Sequence, residues 1–214
     1  MKVLLIAGPT HVPLDEARSI INRSTGKTGL VIAELFYKAG HSLSLWLGEG
    51  TTHPVPPNLN QSAKFHTLND LEDLIVKTDL STFDVILLPA ALPDYDLHQA
   101  LGPDNNPLPR EKWPGSLQNI QVELRPSSHV LPTLRSKAPN AKIIGWKWEA
   151  GATLKEAIRA AQQQCMSCKT SACVLNGHAY GTGYLLIPAE GENVPCADAR
   201  ALGEVLLQFL KGCT

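Results

Sequence analysis

The sequence predicts an α/β fold in which a mostly parallel sheet carries helices on both faces. Short apolar runs that end near glycine or proline, such as KVLLIAG at residues 2–8 and FDVILLPAA at residues 83–91, are typical of buried parallel strands. Helical patterns alternate with these runs, and this alternation favours right-handed crossovers between parallel strands. The 214 residues can form one substantial core, so we expect a single domain over residues 1–214.

The first half of the chain alternates strand and helix patterns. In order these are a strand at residues 2–8, a helical stretch at 14–38 interrupted at 22–29, a strand at 41–48, a helix at 68–78 and a strand at 83–91. Gly40 follows the first helical stretch, as glycine commonly does at a helix end. Asn69 or Asp70 is available near the start of the second helix, where a side-chain acceptor is favoured.

The second half opens with a segment of different composition. Residues 93–118 are rich in proline, glycine and asparagine and predict a long loop or flap, which in a compact domain is usually functional or disordered. The remaining patterns are a short helix at residues 130–138, a strand at 141–148, a helix at 152–165, a strand at 171–177 and a final helix at 197–212.

Composition excludes several classes of protein. The net charge of −1 gives no general electrostatic grip on nucleic acid, and no apolar run reaches membrane-spanning length. Met1 leads directly into a strand pattern, so we expect no signal peptide and a cytoplasmic protein. Three of the five cysteines, Cys165, Cys168 and Cys173, lie close together and could be taken for a zinc site. Cys173 belongs to an apolar strand pattern, however, and only one CxxC pair is present, so a buried structural role is favoured.

Unusual residues follow four of the predicted strands. They are the segments Gly8 to Thr10, Ala90 to Asp94 and Trp146 to Glu149, together with Asn176. In parallel sheets ligands bind beyond the carboxyl ends of the strands, at the point where the strand order reverses. Local turn chemistry also favours Gly, Pro, Asp and Asn at such positions, so the residues by themselves leave a binding site and ordinary turns equally open.

The stretch Ile21 to Gly29 contains Gly-Lys-Thr but is not a P-loop. Ile21 stands where that motif needs its first glycine, and residues 13–20 separate the stretch from the first strand. The turn GPTHVP likewise lacks the G-x-G-x-x-G pattern of dinucleotide-binding proteins. A glycine-rich loop that opens a helix can still present backbone N–H groups to a phosphate. Lys112 is, on its residue type alone, better explained as a surface lysine than as a catalytic one.

Six segments in chain order resemble motifs of the phosphopantothenoylcysteine synthetase family, whose fold is Rossmann-like. Residues 6–29 read IAGPTHVPLDEARSIINRSTGKTG and follow the signature T-A-G-x-T-x-E-P-[IL]-D-x-V-R-x-I-[ST]-N-x-S-S-G-K-M-G almost position for position. PAALPDY resembles A-A-V-[AS]-D-[YF], KWPGS the lysine-bearing flap, and ELRPSSHVLPTL a strand followed by T-P-[KD]-I-L. IGWKWEA resembles G-F-x-x-E-T, and ACVLNG the I-V-A-N strand. The resemblance extends from Lys2 to about Lys211.

The resemblance implies a ligase of coenzyme A biosynthesis. In this family the carboxylate of 4′-phosphopantothenate attacks the α-phosphate of CTP or ATP, and the amine of cysteine then attacks the resulting acyl-nucleotide. Mg²⁺ accompanies the nucleotide, the enzyme is a homodimer, and no flavin is expected. The family's residue for binding the intermediate matches Asn22, its flap lysine matches Lys112, and the arginine that crosses the dimer interface to the substrate phosphate matches Arg18.

The remaining family positions fall into two sets. Those that contact nucleotide match Gly8, Ser24, Gly26, Gly29, Trp146 and Asn176. Those that contact phosphopantothenate match Ala90, Ala91 and Asp94. Which residues of the chain would bind the metal stays unknown.

The chain departs from the family pattern at several positions. Thr28 replaces a methionine, Pro93 a small residue, Trp146 a phenylalanine, and Ser127 with Ser128 a threonine-proline pair. The helix before the last parallel strand offers glutamines at residues 162–164 where the family often has lysines, with only Lys169 nearby, which leaves the choice between CTP and ATP open. Two other functions stay open: a nucleotide-binding relative that does not ligate, and an NAD(P)-dependent reductase on a similar sheet.

Overall fold

Residues 1–212 are described by a computed structural model of the chain. The strands are β1 (Lys2–Ala7), β2 (His11–Pro13), β3 (Ser19–Ile21), β4 (Ser42–Gly48), β5 (Gln61–Phe65), β6 (Val85–Leu87), β7 (Tyr95–Leu101), β8 (Gln121–Pro126), β9 (Lys142–Trp148), β10 (Ala172–Asn176), β11 (Tyr184–Pro188) and β12 (Val194–Cys196). The α-helices are α1 (Lys27–Lys38), α2 (Leu68–Lys77), α3 (Val130–Lys137), α4 (Leu154–Cys168) and α5 (Ala199–Lys211). No helix within the described range is long and apolar enough to cross a membrane.

The main sheet has eight strands in the order β12-β11-β10-β9-β6-β1-β4-β5. The six strands from β10 to β5 are parallel, and β11 and β12 extend the sheet antiparallel at one edge. Taken in chain order, the parallel strands have the arrangement 3-2-1-4-5-6, so the order reverses between β1 and β6. The predicted Rossmann-like, mostly parallel α/β fold is confirmed.

The alternation of side chains along β1 divides the core between the two faces of the sheet. Val3 and Leu5 pack on the face covered by α1 and α5, whereas Leu4 and Ile6 pack on the face covered by α2 and α3. All four side chains are fully buried. Burial on both faces explains the continuous apolar run that predicted this strand.

Capping side chains fix the starts of α2 and α4. Thr67 is the N-cap of α2, and Asp70 completes a capping box with it, so Asp70 contributes from the first turn and neither it nor Asn69 is the cap. Thr153 and Glu156 form the same arrangement on α4. Gly40 adopts a left-handed conformation just past Ala39, the C-cap of α1, as expected from its position.

The predicted helical stretch at residues 14–38 is wrong over its first half. β2 and β3 form an antiparallel hairpin there, and α1 begins only at Lys27. The Asp15 carboxylate accepts the backbone N–H groups of Ala17 and Arg18, at 2.9 and 2.7 Å, and so reverses the chain. The β-branched Ile20 and Ile21 then suit the returning strand.

The predicted loop at residues 93–118 is also wrong in part. β7 occupies its beginning and pairs with β8 in a two-stranded antiparallel arm, which leaves residues 102–120, hereafter the flap loop, as the connection. Three further strands, β5, β11 and β12, were not predicted. They are five residues or fewer and lie at the two sides of the sheet; β5 and β12 are mostly not buried, whereas β11 reads YLLIP, an apolar run that was a usable signal.

Candidate functional site

The strand order reverses between β1 and β6, and in folds of this kind ligands bind beyond the carboxyl ends of the strands at that point; this region is hereafter called the crevice. The chain segments that follow the two strands remain hydrogen-bonded to each other, because the Ala91 N–H donates to the Gly8 carbonyl at 2.9 Å. Both the backbone N–H and the side-chain Oγ1 of Thr10 donate to the Ala91 carbonyl, at 3.2 and 3.0 Å. These bonds hold Gly8, Ala90 and Ala91 along one wall of the crevice.

Asn22 is fixed over the same crevice by the segment after β6. Its side-chain Nδ2 donates to the Leu92 carbonyl at 2.7 Å. An amide nitrogen carries two hydrogens, so one N–H and the Oδ1 atom are not used by this bond. The Asn22 carbonyl in turn accepts the Ser24 N–H at 2.8 Å, and the Ser24 hydroxyl accepts the Gly26 N–H at 3.4 Å. Asn22, Ser24 and Gly26 thus form one ordered turn beside Gly8.

The turn leads directly into the N-terminus of α1. Gly26 is the N-cap residue, in a left-handed conformation with φ 77°, and supplies no side-chain cap; the Thr25 hydroxyl accepts the Lys27 N–H at 3.4 Å, which leaves the N–H groups of Thr28 and Gly29 for a ligand. The first N–H to bond within the helix is that of Leu30, to the Gly26 carbonyl at 3.0 Å. Uncapped N–H groups at a helix N-terminus favour an anion, which suits a phosphate at this position.

Gly29 allows α1 to approach the sheet closely. A Cβ atom on Gly29 would lie 2.4 Å from the Cβ of Ala7 and 3.2 Å from Cγ of Pro89. Contacts this short require the helix or the strands to shift. The absence of a side chain at Gly29 therefore sets the distance between the helix N-terminus and the crevice.

We expect Gly29→Ala to destabilise the fold by about 1–3 kcal/mol, because the overpacking outweighs the helix propensity gained. Urea unfolding would measure this change. Gly151→Ala is the matched control, because a Cβ on Gly151 meets nothing within 4 Å. Equal stabilities of the two variants would contradict the packing role of Gly29.

Trp146 and Asn176 lie farther along the same edge of the sheet. Trp146 pairs with Val174, and Trp148 pairs with Asn176, so both tryptophans face the side of the sheet that carries α1 and α5. Trp146 is partly buried, and its indole Nε1 has no hydrogen-bond partner within the described chain. Trp148 is 61% exposed. Two aromatic rings thus stand beside the predicted nucleotide-binding asparagine.

The flap loop is anchored by Trp113 to the turn between β2 and β3. The Trp113 N–H donates to the Asp15 carboxylate at 2.9 Å, and the Trp113 carbonyl accepts from the Arg18 guanidinium at 2.7 Å. Arg18 also pairs with Asp15 at 2.7 Å and lies 5.3 Å from the Trp113 ring. Lys112 precedes this anchor and is exposed. The cluster therefore sets the position from which Lys112 reaches outward.

The Asp15 carboxylate stays ionised well into the acidic range. Burial raises its pKa, but N–H donors from Trp113, Ala17 and Arg18, with the Arg18 side chain, outweigh burial and hold the pKa at about 2, below its ordinary value of 3.8. Because this pKa is depressed in the folded protein, the ionised carboxylate stabilises the fold at pH values above 3.8. This stabilisation is lost as the pH falls towards 2.

We expect Asp15→Asn to be less stable than the wild type by a constant amount between about pH 5 and 8. An asparagine amide can place a donor against the Trp113 N–H and cannot pair ionically with Arg18. The difference should shrink below about pH 4, where the Asp15 carboxylate of the unfolded chain begins to protonate while that of the folded protein is still ionised, and most of it should be lost as the pH approaches 2. Urea unfolding at a series of pH values would check this, and a difference that persists unchanged at pH 2 would contradict it.

Arg18 and Asp94 occupy peripheral positions. Arg18 is held by Asp15 and Trp113 of its own chain, with 42% of its side chain exposed. Asp94 is exposed at the start of the β7–β8 arm, where its carbonyl accepts the Ser127 N–H at 3.0 Å. The Ser127 hydroxyl donates to the Pro93 carbonyl. Two of the departures from the family pattern, Pro93 and Ser127, thus meet at the base of the arm.

The cysteine cluster lies away from the crevice, between α4 and β10. Cys165 and Cys173 are buried, and Cys168 is partly buried. Burial raises the pKa of the Cys173 and Cys165 thiols, which keeps them protonated and weakly reactive. Among residues 1–212, no group of three or more His, Cys, Asp or Glu side chains could hold a metal ion.

Three residues of the site region were not predicted from the sequence. Trp113 and Asp15 anchor the flap loop, and Thr51, after β4, packs its side chain against the positions where Gly8 and Gly26 lack a Cβ. The aspartate in the first signature was a usable signal. Nothing in the spacing of the sequence indicates that Asp15 meets Trp113, 98 residues away.

The strand order 3-2-1-4-5-6, with a glycine-lined helix N-terminus at its reversal, is that of the doubly wound class of α/β folds. The family model described as the DNA/pantothenate metabolism flavoprotein C-terminal domain matches residues 1–183, and the chain belongs to this family.

Individual relatives agree with this assignment. The coenzyme A biosynthesis bifunctional protein CoaBC of Thermococcus kodakarensis is 28% identical over 177 residues, which cover 82% of this chain and 41% of that protein. The chain thus spans less than half the length of this relative. The DNA/pantothenate metabolism flavoprotein from Streptococcus pneumoniae superposes with a TM-score of 0.85 at 18% identity, covering 100% of both chains. A Cab2 variant in complex with phosphopantothenate-cysteine superposes with a TM-score of 0.72 at 18% identity, covering 99% of this chain and 85% of that one. These two structural likenesses show the fold.

Proposed function

We propose that the chain joins 4′-phosphopantothenate to cysteine at the expense of CTP or ATP, a step of coenzyme A biosynthesis. The observation that carries the proposal is the assembly of Asn22, the α1 N-terminus and the Ala90–Ala91 segment around one crevice. The family description, the name of the Thermococcus relative and the ligand of the Cab2 variant support the same chemistry.

In the first step a carboxylate oxygen of phosphopantothenate attacks the α-phosphorus of the nucleotide. An O–P bond forms, the bond to the β-phosphate breaks, and pyrophosphate leaves. Negative charge must be neutralised at the phosphates while the mixed anhydride is held in line. The uncapped N–H groups at the start of α1 and the Lys112 ammonium are the donors we assign to this task.

In the second step the amine of cysteine attacks the activated carbonyl. A C–N bond forms, the C–O bond breaks, the amine loses a proton, and the nucleoside monophosphate leaves with the bridging oxygen. The unused amide N–H of Asn22 is suited to hold the intermediate, because its bond to Leu92 already fixes the orientation of the side chain. Preorganised donors of this kind act without reorganisation during the reaction.

The other assigned residues divide between the two substrates. Arg18 of the partner subunit and the segment Ala90 to Asp94 are proposed for phosphopantothenate. The nucleotide is proposed to lie along Gly8, Ser24, Gly26, Gly29, Trp146 and Asn176. Mg²⁺ arrives with the triphosphate as part of that substrate, since substrate phosphates usually supply most of its ligands. The ligation itself requires no flavin. The four cysteines within residues 1–212 are free, which supports our proposal of a reducing, cytoplasmic location.

A homodimer is part of the proposal, with the β2–β3 hairpin and the β7–β8 arm as the contact surface. Both elements expose apolar side chains; Ile20 and Ile21 lie on β3, and Leu124, 40% exposed, lies on β8. Tyr95 at the start of the arm is 55% exposed. The hairpin and the arm are neighbours in the fold, exposed apolar side chains on neighbouring elements favour an interaction surface, and a self-complementary patch is the usual basis of a two-fold dimer.

We expect Leu124→Asp to weaken the dimer at least about tenfold, because it places a charge in an apolar contact. Light scattering during gel filtration would measure the mass as a function of concentration. Val76→Asp is the matched control, since Val76 is equally apolar and 64% exposed on α2. A wild type that stays monomeric at working concentration, or a Leu124→Asp dimer of unchanged strength, would contradict this interface.

Pyrophosphate release is the test of the proposed reaction. The purified chain would receive phosphopantothenate, Mg²⁺ and either CTP or ATP, with and without cysteine. We expect cysteine to be required for multiple turnovers, and the faster nucleotide identifies the preferred base. A folded protein that binds a nucleotide but releases no pyrophosphate would instead be the non-ligating relative, a reading favoured by the exposed glutamines Gln162 and Gln163 on α4.

A further inference from the structure

Thr28 and Tyr184 share a hydrogen bond that links α1 to β11, near the antiparallel edge of the sheet. The Thr28 Oγ1 and Tyr184 hydroxyl oxygens are 2.6 Å apart, although the residues are separated by 156 positions. Both side chains are partly buried. Thr28 stands in the first turn of α1, and Tyr184 is the first residue of β11.

The Thr28 end of this bond lies at the proposed phosphate position. Thr28 belongs to the uncapped first turn of α1, and Gly29 beside it packs directly on Ala7 and Pro89. The packing at Gly29 fixes how deep the helix sits over the sheet. The bond from Thr28 supplies a second, lateral restraint on the same turn.

The Tyr184 end lies at the other proposed nucleotide contacts. β10 and β11 pair antiparallel with Leu175 opposite Leu185, which sets Tyr184 beside Asn176. Tyr184 and Trp146 both pack, partly buried, against the core under α1 and α5. A single hydroxyl pair thus connects the helix N-terminus to the residues that face the other end of a bound nucleotide.

We propose that Thr28 and Tyr184 are a positioning pair. Their hydrogen bond holds the α1 N-terminus at a fixed distance from Trp146 and Asn176, and one nucleoside triphosphate spans this distance. This inference rests on the proposed function, because it assumes a nucleotide in the crevice. Loss of the bond lets the first turn move relative to β10 and β11. A bound nucleotide draws the turn back to its position, so the result is weaker nucleotide binding, and the chemistry at the α-phosphorus is retained once the nucleotide is bound.

Tyr184→Phe and Thr28→Val each remove one hydroxyl and keep nearly the same volume. Isothermal titration calorimetry with MgATP and MgCTP, without phosphopantothenate or cysteine, measures the nucleotide Kd of each variant. We expect each single change to raise the Kd and the nucleotide KM about three- to tenfold, which is the range of one hydrogen bond. We expect kcat to stay within about twofold, since only binding is affected. The double variant should bind no more weakly than the weaker single variant, because both changes remove the same bond.

Tyr180→Phe is the matched control, since Tyr180 packs on the opposite face of the sheet against the α4 core. It should bind nucleotide as the wild type does. Three results would each overturn the pair: wild-type Kd values in both single variants, additive losses of nucleotide affinity in the double variant, or a fall in kcat at unchanged KM. Because the Kd is measured without the other substrates, a wild type that binds nucleotide but does not ligate refutes the ligase and not the pair. A wild type that binds neither nucleotide refutes both.

Discussion

Lys112→Ala is expected to lower kcat for pyrophosphate release by about 100- to 1000-fold, the cost of removing one donor to charge that develops in a transition state. Lys112 lies in the flap loop next to Trp113, which Asp15 and Arg18 hold in place. The side chain is exposed in the free protein, so its contribution arises when the phosphates are bound. We therefore expect the nucleotide Kd to change much less than kcat.

Two variants sharpen this prediction. Lys155→Ala removes an exposed lysine on α4 and should leave kcat at its wild-type value. Lys112→Arg keeps the charge but changes its shape, so partial activity is expected. If Lys112→Ala retained wild-type kcat, Lys112 would be an ordinary surface lysine, and the charge at the phosphates would have to be met by other groups.

Asn22→Ala is expected to lower kcat/KM by about 100-fold or more, because the donor to the acyl-nucleotide is lost. The truncation also removes the bond to the Leu92 carbonyl, so a modest loss of stability, about 1 kcal/mol, should accompany it. Asn22→Asp should be worse, since a carboxylate would face both the Leu92 carbonyl and an anionic intermediate. Steady-state assays alongside urea unfolding separate the two effects.

Asn193→Ala, in the exposed turn before β12, is the control for Asn22. It should match the wild type in both rate and stability. Asn22→Ala with wild-type kcat/KM would exclude a role for this side chain in holding the intermediate. Loss of activity that merely follows unfolding of the variant would leave Asn22 a structural residue of the turn.

The buried parallel strands could be predicted because both of their faces are covered. β1 and β6 are apolar at nearly every position, and this continuous signal needs no knowledge of the neighbours. β8 is the opposite case, since all of its residues are exposed and no buried face marks its alternation of Val122 and Leu124 with polar residues as a core strand. Its partner β7, in which Ala100 is the one buried residue, was taken for part of a loop.

The β2–β3 hairpin was missed for a different reason. Leu14, Ala17 and Arg18 have a spacing that a helix would also show, and the turn depends on the side-chain bonds of Asp15. Side-chain acceptors of this kind compete with helix formation in a way that periodicity does not reveal.

The site was predictable to the extent that it lies at strand ends. Gly8, Ala90 and Ala91 follow buried strands, and the topology alone brings them to one edge. The resemblance then placed Asn22 and the α1 N-terminus beside them. The anchor between Asp15 and Trp113 and the bond between Thr28 and Tyr184 join segments 98 and 156 positions apart. Such pairings depend on the folded arrangement and have no local pattern.

Isotope transfer tests the central claim, ligation through an acyl-nucleotide, most directly. Phosphopantothenate labelled with ¹⁸O in its carboxylate would be incubated with the chain, Mg²⁺, cysteine and the preferred nucleotide, and the products analysed by mass spectrometry. The proposed mechanism predicts one ¹⁸O atom in the nucleoside monophosphate, because the attacking oxygen stays on phosphorus when the C–O bond breaks. Two results would contradict it. One is label in inorganic phosphate together with formation of a nucleoside diphosphate, and the other is a nucleotide product that carries no label.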